Sequence, residues 1–398
     1  MTVRRSLYAA AFAGLLLFLA GLLLTVRSIA GGWTGGIALA DVPAALMGSI
    51  PWLALALVGV IVFGVAWGMT NRGARPLTLA GAAERGLPAR KATLYMGQLL
   101  LLAAAVAFAV LMLRGAALQV FAGLGLGPDA AQPGWPVAQA LAALLSLLAW
   151  GYLRYETLRD DDLGREQGPA AGWRRAYTYL AALGGLALSV GGMGEFIRSV
   201  IALGIQPLAP DAPWRVPMAG AVAALVVGVP LAAMAWRWST RSAAARPAPE
   251  MNALSRVLLR YAALLAGAVV TLLALGYLIT DVILLILGQR AGQWWGYALA
   301  YFPAMLVLWL TFSSGVQGDR ARGGESPRTA RIRRIVRYTI SALALAAFWL
   351  GLTEVVRLVL QMALARQAGN VELDAVWRGR FALATALVLV GAPGWWGH

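Results

Sequence analysis

Long apolar runs alternate with short polar connections along the whole chain. The runs cover roughly 6–26, 51–69, 93–113, 136–153, 177–197, 215–236, 257–280, 296–313, 336–358 and 379–396. Each comes close to the ~20 helical residues that cross a hydrocarbon core about 30 Å thick. Their Leu, Ala, Val and Gly content is continuous rather than alternating, which excludes a β-barrel of short period-two strands. The pattern predicts an all-α fold, a polytopic membrane helical bundle of about ten transmembrane helices.

The runs are also in register. Tyr8, Tyr95, Tyr179, Tyr261 and Tyr338 lie near the starts of the odd-numbered runs, 87, 84, 82 and 77 residues apart. Nineteen residues after each, the chain reads Arg27, Arg114, Arg198, Thr280 and Arg357. Five tandem two-helix units are expected, over 1–90, 91–172, 173–254, 255–332 and 333–398. The last stops at Trp395-Trp396-Gly397-His398 with no basic tail, as a truncated unit or one ending at the membrane surface. The even-numbered runs carry tryptophan near both ends, as at Trp52 and Trp67 or Trp214 and Trp236, the expected place for indole at a membrane interface. Gly228-Val229-Pro230 and Gly391-Ala392-Pro393 mark bends in two of them. The small residues between Ala182 and Gly194 allow close helix approach and lack the context of a phosphate loop.

Charge adds topology. The N-terminus and the connections after even runs hold 24 of the 33 Lys and Arg, so that side is expected in the cytoplasm, with both termini. Arg4 and Arg5 before an apolar run, with Ala38-Leu39-Ala40 beyond, look like a leader peptide. The run ends near Val26, too far from Ala40, and carries the tyrosine–arginine register, so it reads as a retained helix. The expected location is a bacterial cytoplasmic (inner) membrane.

Candidate chemistry is sparse. There is no cysteine, and the single histidine is His398, so thiolate and histidine chemistry are all but removed. No catalytic residue, metal site or cofactor is expected. Three residues before the register arginine the units diverge, giving the i,i+3 pairs Glu195/Arg198 and Glu354/Arg357, with Thr280-Asp281 in unit four. Local charge compensation at the outer boundary is one reading. A polar intramembrane site formed by Glu195, Arg198, Thr280, Asp281, Glu354 and Arg357 is the other. Asp160-Asp161-Asp162 is expected in a solvated linker. The basic linker 319–337, with Arg331, Arg333, Arg334 and Arg337, is expected on anionic lipid headgroups. No aromatic residues interleave with it before Tyr338, which argues against nucleic acid.

The opening Arg174-Arg175-Ala176-Tyr177-Thr178-Tyr179 and the closing Gly228-Val229-Pro230 followed by Trp236-Arg237-Trp238 resemble a bacterial membrane-repeat family known only as a domain of unknown function, numbered fifty-six seventy-one. The resemblance runs over the whole chain as five copies, weaker in units two and four. It implies membrane helices and no established activity, so it carries over no catalytic residue. The expected function is a non-enzymatic scaffold or subunit that binds lipid and a membrane-protein partner. The alternatives are a transporter or channel for a small solute or ion, and a lipid-modifying enzyme.

Overall fold

The computed structural model describes residues 2–29, 42–75, 78–124, 136–160, 166, 168–205, 214–245, 250–289, 295–367 and 376–396. These residues form eleven α-helices and no strand: α1 (Thr2–Ile29), α2 (Val42–Ala74), α3 (Leu79–Arg85), α4 (Pro88–Gly123), α5 (Val137–Arg159), α6 (Gly168–Ile205), α7 (Arg215–Ala245), α8 (Leu254–Ile286), α9 (Trp295–Gly323), α10 (Pro327–Gln367) and α11 (Val376–Trp396). Nine of them, all but α3 and α11, are long and apolar enough to cross a membrane. The protein is a multi-pass membrane protein.

The tenth expected span is α11. It is helical over 21 residues but falls outside the nine, because Arg378, Arg380, Pro393 and two terminal tryptophans dilute its apolar stretch. Several helices outrun the hydrocarbon core. α6 has 38 residues and α10 has 41, so segments expected as polar linkers are helical. The basic linker 319–337 is one of these. It is the end of α9 and the start of α10, broken only at 324–326, where Gly324 takes a φ of 70°.

The chain forms two compact units: Met1–Gly192 with Ala202–Ser242, and Met193–Ile201 with Ala243–His398. In the first, α1 lies along α2, α4 along α5, and α6 against α7. Tyr8, Leu15, Trp67, Leu94, Leu101 and Leu153 form its core, and Leu22, Val26 and Phe108 extend it. Trp67 is thus a core residue, stacked on Phe63 with 5.9 Å between rings, instead of an interface anchor. In the second unit α8 pairs with α9 and α10 with α11, and both α10 and α11 touch α8.

Three pairs, α1–α2, α6–α7 and α10–α11, are joined by the same two glycine contacts. Gly21, Gly192 and Gly351 stand thirteen residues after Tyr8, Tyr179 and Tyr338. A Cβ on Gly21 would press on the Ala56 backbone. On Gly192 it would lie 3.1 Å from Leu225 Cγ, and on Gly351 it would lie 2.9 Å from Val388 N. Gly59, Gly228 and Gly391 meet the backbone nitrogens of Phe18, Ser189 and Phe348, each ten residues after its tyrosine. Absent side chains let the backbones approach, and dispersion contacts then hold the helices. The Gly-x-Pro glycines are therefore contact points, and Pro230 and Pro393 both sit inside continuous helix.

Candidate functional site

The charged residues singled out at the outer end fall into separate groups. Glu195 accepts from its own-helix neighbour Arg198 at 2.8 Å and from Tyr301 on α9 at 3.2 Å. Arg198 lies over the Tyr297 ring at 4.9 Å. Glu354 pairs with Arg357 at 3.6 Å and with Arg380 of α11 at 4.0 Å. Thr280 turns its hydroxyl back to the Gly276 carbonyl at 2.8 Å, and Asp281 is buried beside it on α8. The i,i+3 spacing sets the two ion pairs on their helix faces. Glu195, Arg198 and Glu354 are partly exposed, and Arg357 is exposed.

A second constellation, at the tyrosine end of the first unit, is far more buried. Tyr8 donates to Glu84 on α3 at 2.8 Å, and Arg4 pairs with the same carboxylate. Arg90 grips Asp160 in a fork, Nε to Oδ2 at 3.0 Å and Nη2 to Oδ1 at 2.9 Å. It also reaches Asn71 Oδ1 at 3.0 Å and lies over the Trp67 ring at 4.8 Å. Glu156, one turn before Asp160 on α5, accepts from Asn71 at 3.1 Å and lies 3.7 Å from Arg90. Tyr95 donates to Glu166 at 2.6 Å, and Arg174 of α6 lies 3.2 Å from that carboxylate. Lys91 sits between Asp160 and Glu166 at 3.6 and 3.9 Å. Four cations, Arg4, Arg90, Lys91 and Arg174, face four carboxylates, Glu84, Glu156, Asp160 and Glu166. Burial of any one charge is costly, and matching by charge and by hydrogen bonds offsets the cost.

Asp160 therefore corrects one expectation. It is 4% exposed and belongs to this network, not to a solvated linker. α4 and α5 continue beyond their apolar runs, so the linker charges pack against each other there. Asp161 and Asp162 lie outside the described residues.

The second unit repeats part of the arrangement. Arg256 forks onto Asp319 at 2.9 and 3.0 Å, and Arg260 joins them at 2.7 Å. Glu325 lies 2.9 Å from Arg333 and 3.5 Å from Arg320. Of the residues expected on headgroups, Arg331, Arg334 and Arg337 are exposed on α10, and Arg333 is half-buried against Glu325.

The sequence did carry a signal for these sites. Arg90, Arg174, Arg256 and Arg333 each stand five residues before a register tyrosine. Glu84 and Glu166 follow the tyrosines that bond them by 76 and 71 residues, and Glu250 and Glu325 follow Tyr179 and Tyr261 in like manner. Among the described residues no group of three or more His, Cys, Asp or Glu is arranged to hold a metal ion.

No curated protein and no solved structure matches the chain. Two helix pairs carry a family match, fewer than the five over which the resembling sequence features run. Residues 175–311, from α6 into α9, match the family described as Domain of unknown function (DUF5671).

Proposed function

We propose that the protein is a non-enzymatic membrane scaffold or subunit, a tandem array of five two-helix repeats that binds other membrane components. One observation carries the reading. The carboxylates singled out at the outer end, Glu195 and Glu354, are each engaged by an arginine of their own helix, and Glu354 also by Arg380 of the paired helix. Their chemistry fits helix packing. The recurring glycine contacts of α1–α2, α6–α7 and α10–α11 support repeats over 1–90, 173–254 and 333–398. The forks of Arg90 on Asp160 and Arg256 on Asp319 recur five residues before Tyr95 and Tyr261, which supports units that open near those tyrosines, although Arg90 itself falls at the end of 1–90.

The array sits in a bacterial cytoplasmic membrane with its tyrosine ends and both termini inside. That topology needs an even number of crossings, so α11 crosses as well. Its 21 residues span about 31 Å at 1.5 Å each, enough for a hydrocarbon core. A reporter active only outside the cytoplasm should light up when fused after Ala131 or Asp211 and stay dark after Arg246 or Gly324. The reverse pattern refutes the orientation. Mild-detergent purification should bring down a defined membrane-protein partner, and vesicles holding the pure chain should show no solute flux. Flux that disappears with Glu195→Gln at unchanged stability would establish a transporter in place of the scaffold.

A further inference from the structure

In the first unit the tyrosine-end network is closed by one ring. Tyr177 stands two residues before the register Tyr179 and is 2% exposed. It packs 6.0 Å from the Tyr95 ring and 6.1 Å from Trp238, and its hydroxyl accepts from Trp150 Nε1 at 3.1 Å. The second unit has the same parts at the same sequence positions. Tyr261 stands for Tyr95, Trp309 for Trp150, Glu325 for Glu166 and Arg333 for Arg174. Two residues before Tyr338, however, the chain has Val336 in place of a tyrosine. A cavity of about 190 Å³ opens there, lined by Tyr261, Trp309 and Val336 themselves, with Leu264 and Ile340. Cavities of roughly 150 Å³ already admit small ligands.

The cavity is also basic. Arg320, Arg333 and Arg337 line it. Arg337 follows Val336 where Thr178 follows Tyr177, so charge enters as the ring leaves. Glu325 engages Arg320 and Arg333, and Arg337 has no carboxylate partner among the described residues. One carboxylate thus engages two of the three guanidiniums, beside an apolar wall of Leu264, Trp309 and Ile340. Guanidinium forks match phosphate oxygens, and basic pockets at helix ends hold anionic headgroups.

We propose that this cavity binds a phosphate-bearing anion, its phosphate on Arg320, Arg333 and Arg337. If the anion is a lipid headgroup, its acyl part lies along the Trp309 wall. The lipid case rests on the membrane placement above, which the reporter fusions test separately. Failure of binding with the expected topology intact counts against the cavity alone.

The test is native mass spectrometry of the full chain, delipidated in mild detergent. Phosphatidylglycerol, phosphatidylcholine and inorganic phosphate are the probes. One phosphatidylglycerol should be retained in preference to phosphatidylcholine. Val336→Tyr keeps every arginine and restores the ring of the first unit. Arg337→Thr copies Thr178 at an exposed position. Each should weaken retention about tenfold or more, the loss expected for a charge-assisted contact. Arg331→Thr, exposed and outside the cavity, should change nothing. Displacement of the lipid by millimolar inorganic phosphate would assign the site to a free phosphate compound, and resistance to displacement would assign it to lipid. Wild-type binding by a folded Val336→Tyr protein would overturn the proposal. So would an Arg331→Thr loss equal to that of Arg337→Thr, since the basic surface would then act diffusely. If Val336→Tyr does not fold, Arg337→Thr against Arg331→Thr decides alone.

Discussion

Asp160→Asn is the most direct test of the buried network. Arg90 and Asp160 have side chains 1% and 3% exposed, so water does not compensate for a lost partner. The substitution keeps the shape and removes one negative charge. Asn retains one acceptor oxygen, so one arm of the fork survives as a bond to a neutral group and the other is lost. Arg90 keeps Asn71 at 3.0 Å and a distant Glu156 at 3.7 Å. Lys91 loses its nearer carboxylate and keeps Glu166 at 3.9 Å. Breaking a buried pair on one side costs about 3–5 kcal/mol, and the surviving bonds place this change near the lower end, about 3 kcal/mol. Reversible unfolding of the purified protein in dodecylmaltoside–SDS micelles measures it. Arg90→Met with Asp160→Leu should recover much of the loss, because an apolar pair of similar volume replaces both charges. A loss below about 1 kcal/mol for Asp160→Asn would show that the network is solvated and that the argument from burial fails.

Glu195→Gln should cost about 1 kcal/mol or less in the same assay, since both partners are partly exposed; a loss as large as that of Asp160→Asn would contradict the rim placement. Gly391→Ala should destabilise by about 1–3 kcal/mol, because its Cβ would lie 2.5 Å from Phe348 N and 2.7 Å from Ala344 O. Gly276→Ala, with nothing within 4 Å, should stabilise by about 0.5–1 kcal/mol through helix propensity, so equal effects at the two positions would refute the glycine contacts.

The all-α fold was legible because a membrane span is a length criterion on apolar residues, and most runs meet it plainly. α11 was harder to read, since Arg378, Arg380 and its tryptophans lie in the same short helix as its apolar core. The ion pairs Glu195/Arg198 and Glu354/Arg357 could be read from helical spacing alone. The Arg90–Asp160 fork could not, because its partners are 70 residues apart and Asp160 opens a run of three aspartates that looks solvated. What hides it from water is the extension of α4 and α5 past the apolar run, and hydropathy is blind to helix that continues through polar residues. The glycine contacts were present in the spacing from Tyr8, Tyr179 and Tyr338. Their meaning as backbone contacts needed the facing helix, since Gly-x-Pro alone suggests a bend.

Glu166 has a consequence for how the chain is made. It accepts from Tyr95 on α4, the first helix of the hairpin before it, and faces Arg174 on α6, the helix after it, and Glu325 likewise faces Arg333 at the start of α10. Ribosomes deliver the chain from its N-terminus, so α4 and α5 can be inserted and paired while Glu166 still lacks its second cation. Arrival of α6 adds Arg174 to the Lys91 that already faces it. At these two seams the newly threaded hairpin is expected to clip shut the one ahead of it, so that the order of synthesis favours the order of assembly. A fragment cut at 172 keeps Tyr95 and Lys91 but ends with that clip open. The carboxylate that marks the seam between hairpins is also the one that records whether the next has arrived.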